Sequence, residues 1–149
     1  MTVVANHMLY HVPDRTRAIG EVWRVLKPGG RFCAVTNGER HLFELRRLAA
    51  QVLGDREPFT GVVDAFSLEN GADQLAGTFP TPTLRLFDDS LDVTETEPIV
   101  AYLMSLSGRE QMGEADLEAI RTAVQGEIRR SGAFHVTKAV GMFEALKER

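Results

Sequence analysis

Residues 3–38, VVANHMLYHVPDRTRAIGEVWRVLKPGGRFCAVTNG, constrain this chain more than any other stretch, because two apolar runs of strand length flank one run of helical periodicity. Val3, Val4 and Ala5 end a short strand at Asn6, since Asn and the polar residues after it favour a turn over a pleated ladder. After a loop over residues 7–13, Asp14 stands as a candidate N-cap, and Ile19, Val22, Trp23 and Leu26 recur on one helical face. Lys27 adds a cation where the helix dipole favours it, and Pro28-Gly29-Gly30 stops the helix with a residue free to take positive φ. Residues 32–35 are an apolar run of the kind found in a strand covered on both faces. Thr36-Asn37-Gly38 closes it. Asn-Gly by itself would signal a hairpin, but the next periodic stretch is helical, so these residues read as a loop at a strand end.

A strand, a crossover helix and a strand joined by short turns make a βαβ unit, with parallel strands and a right-handed crossover. Ligands of such sheets sit beyond the carboxyl ends of the strands, here residues 6–11 and 36–38.

ANHMLYHVPD, the helix after it and LKPGGRF resemble the fourth strand, following helix and fifth strand of class I S-adenosylmethionine-dependent methyltransferases of the small-molecule, type 11 group. LKPGG is the most specific element, and FSLENG at residues 66–71, LFDDSLDVTETEPIVAYLMS at 86–105 and FHVTKAVGMF at 134–143 are similar to later parts of the same group. The resemblance implies an α/β fold, the C-terminal half of a Rossmann-like sheet: two parallel strands with a crossover helix, then a strand pair with one antiparallel strand inserted beside the fifth, flanked by helices. Family members begin with a GxGxG-like loop that approaches the methionine end of the cofactor, and an acidic residue that binds the ribose. Neither has a counterpart in these 149 residues, so the expectation is a single partial domain over 1–149 with a helical insertion at about 95–131.

Composition narrows the function classes. A formal net charge of -4 with scattered basic residues argues against a surface that tracks nucleic-acid phosphates. No apolar run approaches the ~20 residues of a membrane span, and no basic segment leads an apolar one at the N-terminus, so a cytoplasmic protein is expected. Cys33, the only cysteine, falls in a strand predicted to be buried, which leaves no internal disulfide and no cysteine-based zinc site.

Further along, Leu42, Leu45, Ala49, Val52 and Leu53 predict a helix over residues 39–54, with Gly54 as its stop. Residues 55–66 read as loop with at most a short helical turn, and 72–76 as a short helix. Alternation of Leu84 and Leu86 with Arg85 predicts a strand over 83–87 with one covered face, turning at Asp88-Asp89-Ser90. Helices are expected from Thr96 or Glu97 to Gly108 and over 114–130, and two extended pieces, 134–138 and 141–146, around a bend.

By their place in the resemblance, Asn6, His7, Met8 and Leu9 would contact the sulfonium and amino-acid end of S-adenosylmethionine, and Tyr10, Thr36 and Asn37 would face the substrate. His11 is the candidate catalytic residue, since an imidazole can accept the proton of an acceptor hydroxyl or amine near neutral pH; a histidine that merely hydrogen-bonds the following helix is the alternative. His7 and His11 are four residues apart, but a zinc-hydrolase HExxH needs Glu where this chain has Met8, and the segment is loop, so no metal site is expected. Asp88, Asp89 and Asp92 are read as turn residues without catalytic work.

These readings converge on methyl transfer from S-adenosylmethionine to an O, N or C nucleophile of a small molecule, with the glycine-rich loop missing from this chain. The alternative is an inactive remnant or interaction subunit that pairs with another polypeptide or a second copy through an exposed N-terminal strand edge. A nicotinamide dehydrogenase half-domain is disfavoured, because no GxGxxG opens any helix.

Overall fold

The computed structural model describes residues 1–56, 59, 65–106 and 112–148. In chain order the elements are β1 (Thr2–Asn6), a 3-10 turn (Leu9–His11), α1 (Arg15–Val25), β2 (Arg31–Asn37), α2 (Phe43–Leu53), a second 3-10 turn (Gly54–Arg56), α3 (Gly71–Ala76), β3 (Thr83–Val93), α4 (Thr96–Ser105), α5 (Glu114–Ser131) and β4 (Phe134–Leu146). The four strands form one sheet in the order β1-β2-β4-β3. β1 and β2 are parallel, with Asn6 opposite Val35, and β4 runs antiparallel beside β2, with Phe143 opposite Ala34. This is the inserted antiparallel strand that the family resemblance implied. Two compact units divide the chain: Met1–His41, Gly61–Asp88 and Ala139–Arg149 form the first, Leu42–Thr60 and Asp89–Lys138 the second.

The first unit is built on the βαβ stretch. Asp14 caps α1 by accepting the Arg17 N–H at 2.9 Å. Ile19 and Leu26 are buried, Val22 and Trp23 pack beside them, and their partners are Phe32, Phe79 and Ala34 of the same core. Gly29 takes φ +75, as the stop after α1 requires. The cation that meets the last α1 carbonyls is not Lys27, which is exposed, but Lys147, whose Nζ donates to the Trp23 and Leu26 oxygens at 2.6 and 2.9 Å. Four phenylalanines, 32, 66, 79 and 143, fill the core, and Gly71 lies so close to them that a Cβ there would stand 2.4 Å from the Phe143 ring.

The second unit is helical and aliphatic. α5 packs against α2 and α4. Their buried faces join Leu45, Leu48, Ile99, Val100, Leu103, Leu117, Ile120 and Val124 to Phe134 and Val136 of β4.

Several boundaries depart from the expected ones. α2 begins at Phe43 because Leu42 adopts a left-handed conformation, φ 57, which breaks the helical path before it starts. β3 continues to Val93 through Asp88-Asp89-Ser90, where a turn was expected, and all but its last residue are exposed, so it has no covered face. Ladder pairing overrides turn propensity where the side chains stay in water, and the Asp89 carboxylate gains a Lys138 partner at 2.6 Å. β4 is one continuous strand: Gly141 marks close approach of Leu68 and of the Arg85 carbonyl rather than a bend. The loop after β1 contains the 3-10 turn at Leu9–His11. The expected stop at Gly108 and most of the loop at 57–64 lie outside the described residues. Among the described residues no helix is long and apolar enough to cross a membrane.

Candidate functional site

Both strands of the parallel pair end on the same side of the first unit. Because Asn6 lies opposite Val35, β2 runs two residues further, and Thr36 and Asn37 extend past the point where β1 gives way to its loop. His7 turns the chain there: its φ is +49, and its N–H donates to the Val35 carbonyl at 3.0 Å, a last ladder bond before the loop departs. The next residues wind into the 3-10 turn, in which the His11 N–H donates to Met8 O at 3.0 Å and the Val12 N–H to Leu9 O at 3.1 Å.

This backbone sorts the candidate side chains into two groups. Asn6, His7, Met8 and His11 are exposed. Leu9 is 4% exposed and belongs to the core, so it anchors the loop and can offer a ligand only its backbone. Tyr10 is half-buried beside the core, its ring 4.6 Å from that of His11 in an edge-on arrangement, and burial pushes its hydroxyl pKa up. It therefore stays a neutral phenol, fit to donate a hydrogen bond rather than to act as a base. Thr36 is 1% exposed and donates its hydroxyl to the Phe66 carbonyl at 2.8 Å. That bond ties the end of β2 to the segment after it and leaves the Thr36 side chain no free donor. Asn37 is the informative neighbour. Its backbone oxygen accepts the Leu68 N–H at 3.1 Å, while its side-chain Oδ1 is buried without a hydrogen-bond partner among the described residues. An orphaned buried acceptor at the end of a parallel strand is the polar group that a bound donor would satisfy.

Around Asn37 the structure brings a wall to which the sequence reading assigned no role. In FSLENG, Asn70 Oδ1 accepts the Ser67 N–H at 2.9 Å and a Gln74 Nε2–H at 2.9 Å, and Glu69 Oε1 accepts the Glu39 N–H at 3.1 Å. Gly38 is packed so tightly beneath it that a Cβ would meet Leu68 and Glu69 at 2.9 Å. The two glycines of this wall, Gly38 and Gly71, were the available signal: neither is needed for positive φ, so each marks a close approach.

The arrangement offers a ligand exposed Asn, His and Met side chains and, among the described residues, the unsatisfied Asn37 acceptor, on a strand-end scaffold. Those groups suit a polar molecule that carries both donors and acceptors. Among the described residues no three His, Cys, Asp or Glu side chains are grouped to hold a metal ion. Cys33 is a buried free thiol. Asp89 and Asp92, read from sequence as turn residues, hold Lys138 and the His135 Nδ1 at 2.6 and 2.8 Å.

Comparison with known proteins bears on these residues. The methyltransferase domain family matches residues 2–34. Among solved structures, a protein of Bacillus halodurans C-125 described as a methyltransferase aligns over 99% of this chain and 64% of its own, at 14% identity and a TM-score of 0.55. One of Anaeromyxobacter dehalogenans described as a type II methyltransferase aligns over 98% of this chain and 62% of its own, at 22% identity and a TM-score of 0.52. A Haemonchus contortus phosphoethanolamine N-methyltransferase 2, solved with phosphomonomethylethanolamine and S-adenosylhomocysteine, aligns over 99% of this chain and 33% of its own, at 13% identity and a TM-score of 0.47. The chain thus spans less than two thirds of each, and what it shares with the first two is the methyltransferase Rossmann-like fold. No curated protein matches it.

Proposed function

We propose that residues 1–149 are the second half of a class I methyltransferase domain, one partial domain with a helical insertion at about 95–131, and that the completed domain methylates an O, N or C nucleophile of a small molecule in the cytoplasm. The observation that carries this reading is that the family match over residues 2–34 covers β1, the loop after it, α1 and the start of β2, and so takes in Asn6, His7 and His11, exposed polar side chains at the end of a parallel strand. S-adenosylmethionine, when bound, supplies a methyl group already activated on a sulfonium. Asn6, His7 and Met8, with the Leu9 backbone, would hold its amino-acid end, and Asn37 and Tyr10 would orient the acceptor. Thr36 acts by fixing Asn37 through its bond to Phe66. His11 would take the acceptor's proton at a ring nitrogen, which leaves the acceptor's lone pair free for the methyl group that S-adenosylmethionine would supply. Such a reaction needs alignment and exclusion of water more than a catalytic signature.

Completing the domain with a glycine-rich first half, in cis or as a separate polypeptide, should give methyl transfer to small acceptors. His11→Ala should then lower turnover by ~100-fold with cofactor affinity nearly unchanged, the size of a typical general-base loss. Unchanged turnover with altered thermal stability would make His11 a structural residue.

A second reading, an inactive remnant or interaction subunit, draws on one observation: among the described residues β1 pairs only with β2, and Val4 is 57% exposed. An open strand edge beside uncovered apolar surface invites another chain or a second copy. Light scattering should then show mass rising with concentration, and a constant monomer mass would remove this reading.

A further inference from the structure

A cavity of about 410 Å³ lies wholly within the second unit, between α2, α5 and the first residues of β4. None of the residues assigned to methyl transfer lines it. Its apolar lining includes Phe43, Leu48 and Phe134, and its charged lining Glu44, Arg47, Glu127 and Arg130, with His135 at the rim. The formal charges cancel, but the partnerships do not.

Glu127 is spent on Arg130, with which it pairs, and on the Ser131 hydroxyl, which donates to it at 2.8 Å; these bonds hold its carboxyl below the usual glutamate range. Glu44 is spent as well. Burial pushes its carboxyl up, but the Thr137 N–H and O–H, each donating at 2.7 Å, and the nearby charge of His135 outweigh burial and leave it below its ordinary value. His135 Nδ1 faces Asp92 Oδ1 at 2.8 Å. Arg47 remains. It is exposed and makes no hydrogen bond or ion pair among the described residues. Beside it Phe43 is 46% exposed, a large apolar surface left open to water.

We infer that this cavity is a binding site for a small aromatic or aliphatic carboxylate, its acid group paired with Arg47 and its apolar body laid against Phe43, Leu48 and Phe134. The volume lies within the range of small-molecule sites, which combine an apolar lining with a few placed polar groups. A guanidinium matches a carboxylate with two parallel donors, so the head group is specified by geometry as well as by charge. A cationic ligand would instead face the positive charge of Arg47. The inference is independent of the methyl-transfer reading, since it concerns a different unit and no cofactor.

The test uses the intact 149-residue chain, labelled with nitrogen-15 and titrated with benzoate, with benzamide as the uncharged isostere and benzylamine as the cation. Benzoate should bind saturably with a millimolar Kd, as expected of a ligand this small, and should shift amides of α2, of the second half of α5 and of residues 134–135. Benzamide and benzylamine should bind at least ~10-fold more weakly, the worth of one charge-assisted pair. Arg47→Gln should weaken benzoate by a similar factor while the rest of the spectrum stays superimposable, and Phe43→Ala should weaken benzoate and benzamide alike. Absence of saturation, equal binding of benzamide, shifts centred on other residues, or benzoate binding indifferent to Arg47→Gln would each overturn the site.

Discussion

The two units of this chain solve the packing problem differently. The first closes an aromatic core on a sheet, with Phe32 stacked 5.8 Å from Phe79 and Phe66 edge-on to Phe143, and it gains its fit by removing side chains at Gly71 and Gly38. The second packs aliphatic stripes of three helices and ties its surface with ion pairs such as Arg56–Asp116 at 3.0 Å and Arg121–Glu97 at 3.0 Å. Interlocking rings tolerate no added atom, whereas exposed helix faces and charged pairs tolerate a good deal. The consequence for function is that at the strand end of the first unit Asn6, His7 and His11 are exposed, on a base fixed by the Thr36–Phe66 bond, while of the charged side chains lining the cavity of the second unit Arg47 has no hydrogen bond or ion pair among the described residues.

The largest difference between the two units is expected from glycine substitutions. Gly71→Ala should cost ~1–3 kcal/mol, because a methyl group 2.4 Å from the Phe143 ring and 3.0 Å from that of Phe66 must displace one of them. Gly126→Ala, within α5 and with nothing within 4 Å of the new carbon, should stabilise by up to ~1 kcal/mol through helix propensity. Urea unfolding of both variants checks the pair; equal and opposite signs to these would mean that the glycine in the first unit is not a packing device.

A smaller effect concerns pH. The Glu44 carboxyl sits below its unfolded value of ~4.3. A group depressed in the folded state contributes stability that is fully present above the unfolded pKa and is lost as pH falls through the folded one. Thr137→Val removes the donated hydroxyl, so the loss of stability on acidification below ~4.3 should be shallower in the variant, measured as the difference in melting temperature between pH 7 and pH 3. An identical pH dependence would mean that the hydroxyl does not hold the charge.

The first unit was also the more legible of the two in the sequence. Asp14, the Ile19–Leu26 face and the Pro28-Gly29-Gly30 stop are local signals, and each has the role that its chemistry suggests. β3 was harder, because Asp88-Asp89-Ser90 carries turn chemistry and only pairing with a strand distant in sequence makes it extended. The start of α2 was hidden for a related reason: the left-handed Leu42 has no propensity signature, and its N–H is held by Thr137 O at 2.8 Å, again far along the chain. At the candidate site, position could be read but commitment could not. That Thr36 is spent on Phe66 while Asn37 Oδ1 has no partner among the described residues depends on where FSLENG folds back.

On the function proposed above, these residues would supply one side of a cofactor cleft whose other side comes from a glycine-rich first half. A doubly wound sheet binds its ligand where strand order reverses, with loops from both sides of that point. On the proposed reading the β1 loop would need, from the other side, a close backbone approach to the methionine moiety and an acidic clamp on the ribose, and each charge-assisted bond forgone is worth ~1.5–3 kcal/mol, several of which account for most of a micromolar affinity. Calorimetry with S-adenosylmethionine is the most direct test. The expected result is no saturable heat from the 149-residue chain alone and one-to-one micromolar binding once the first half is supplied. Micromolar binding by the lone chain would contradict it.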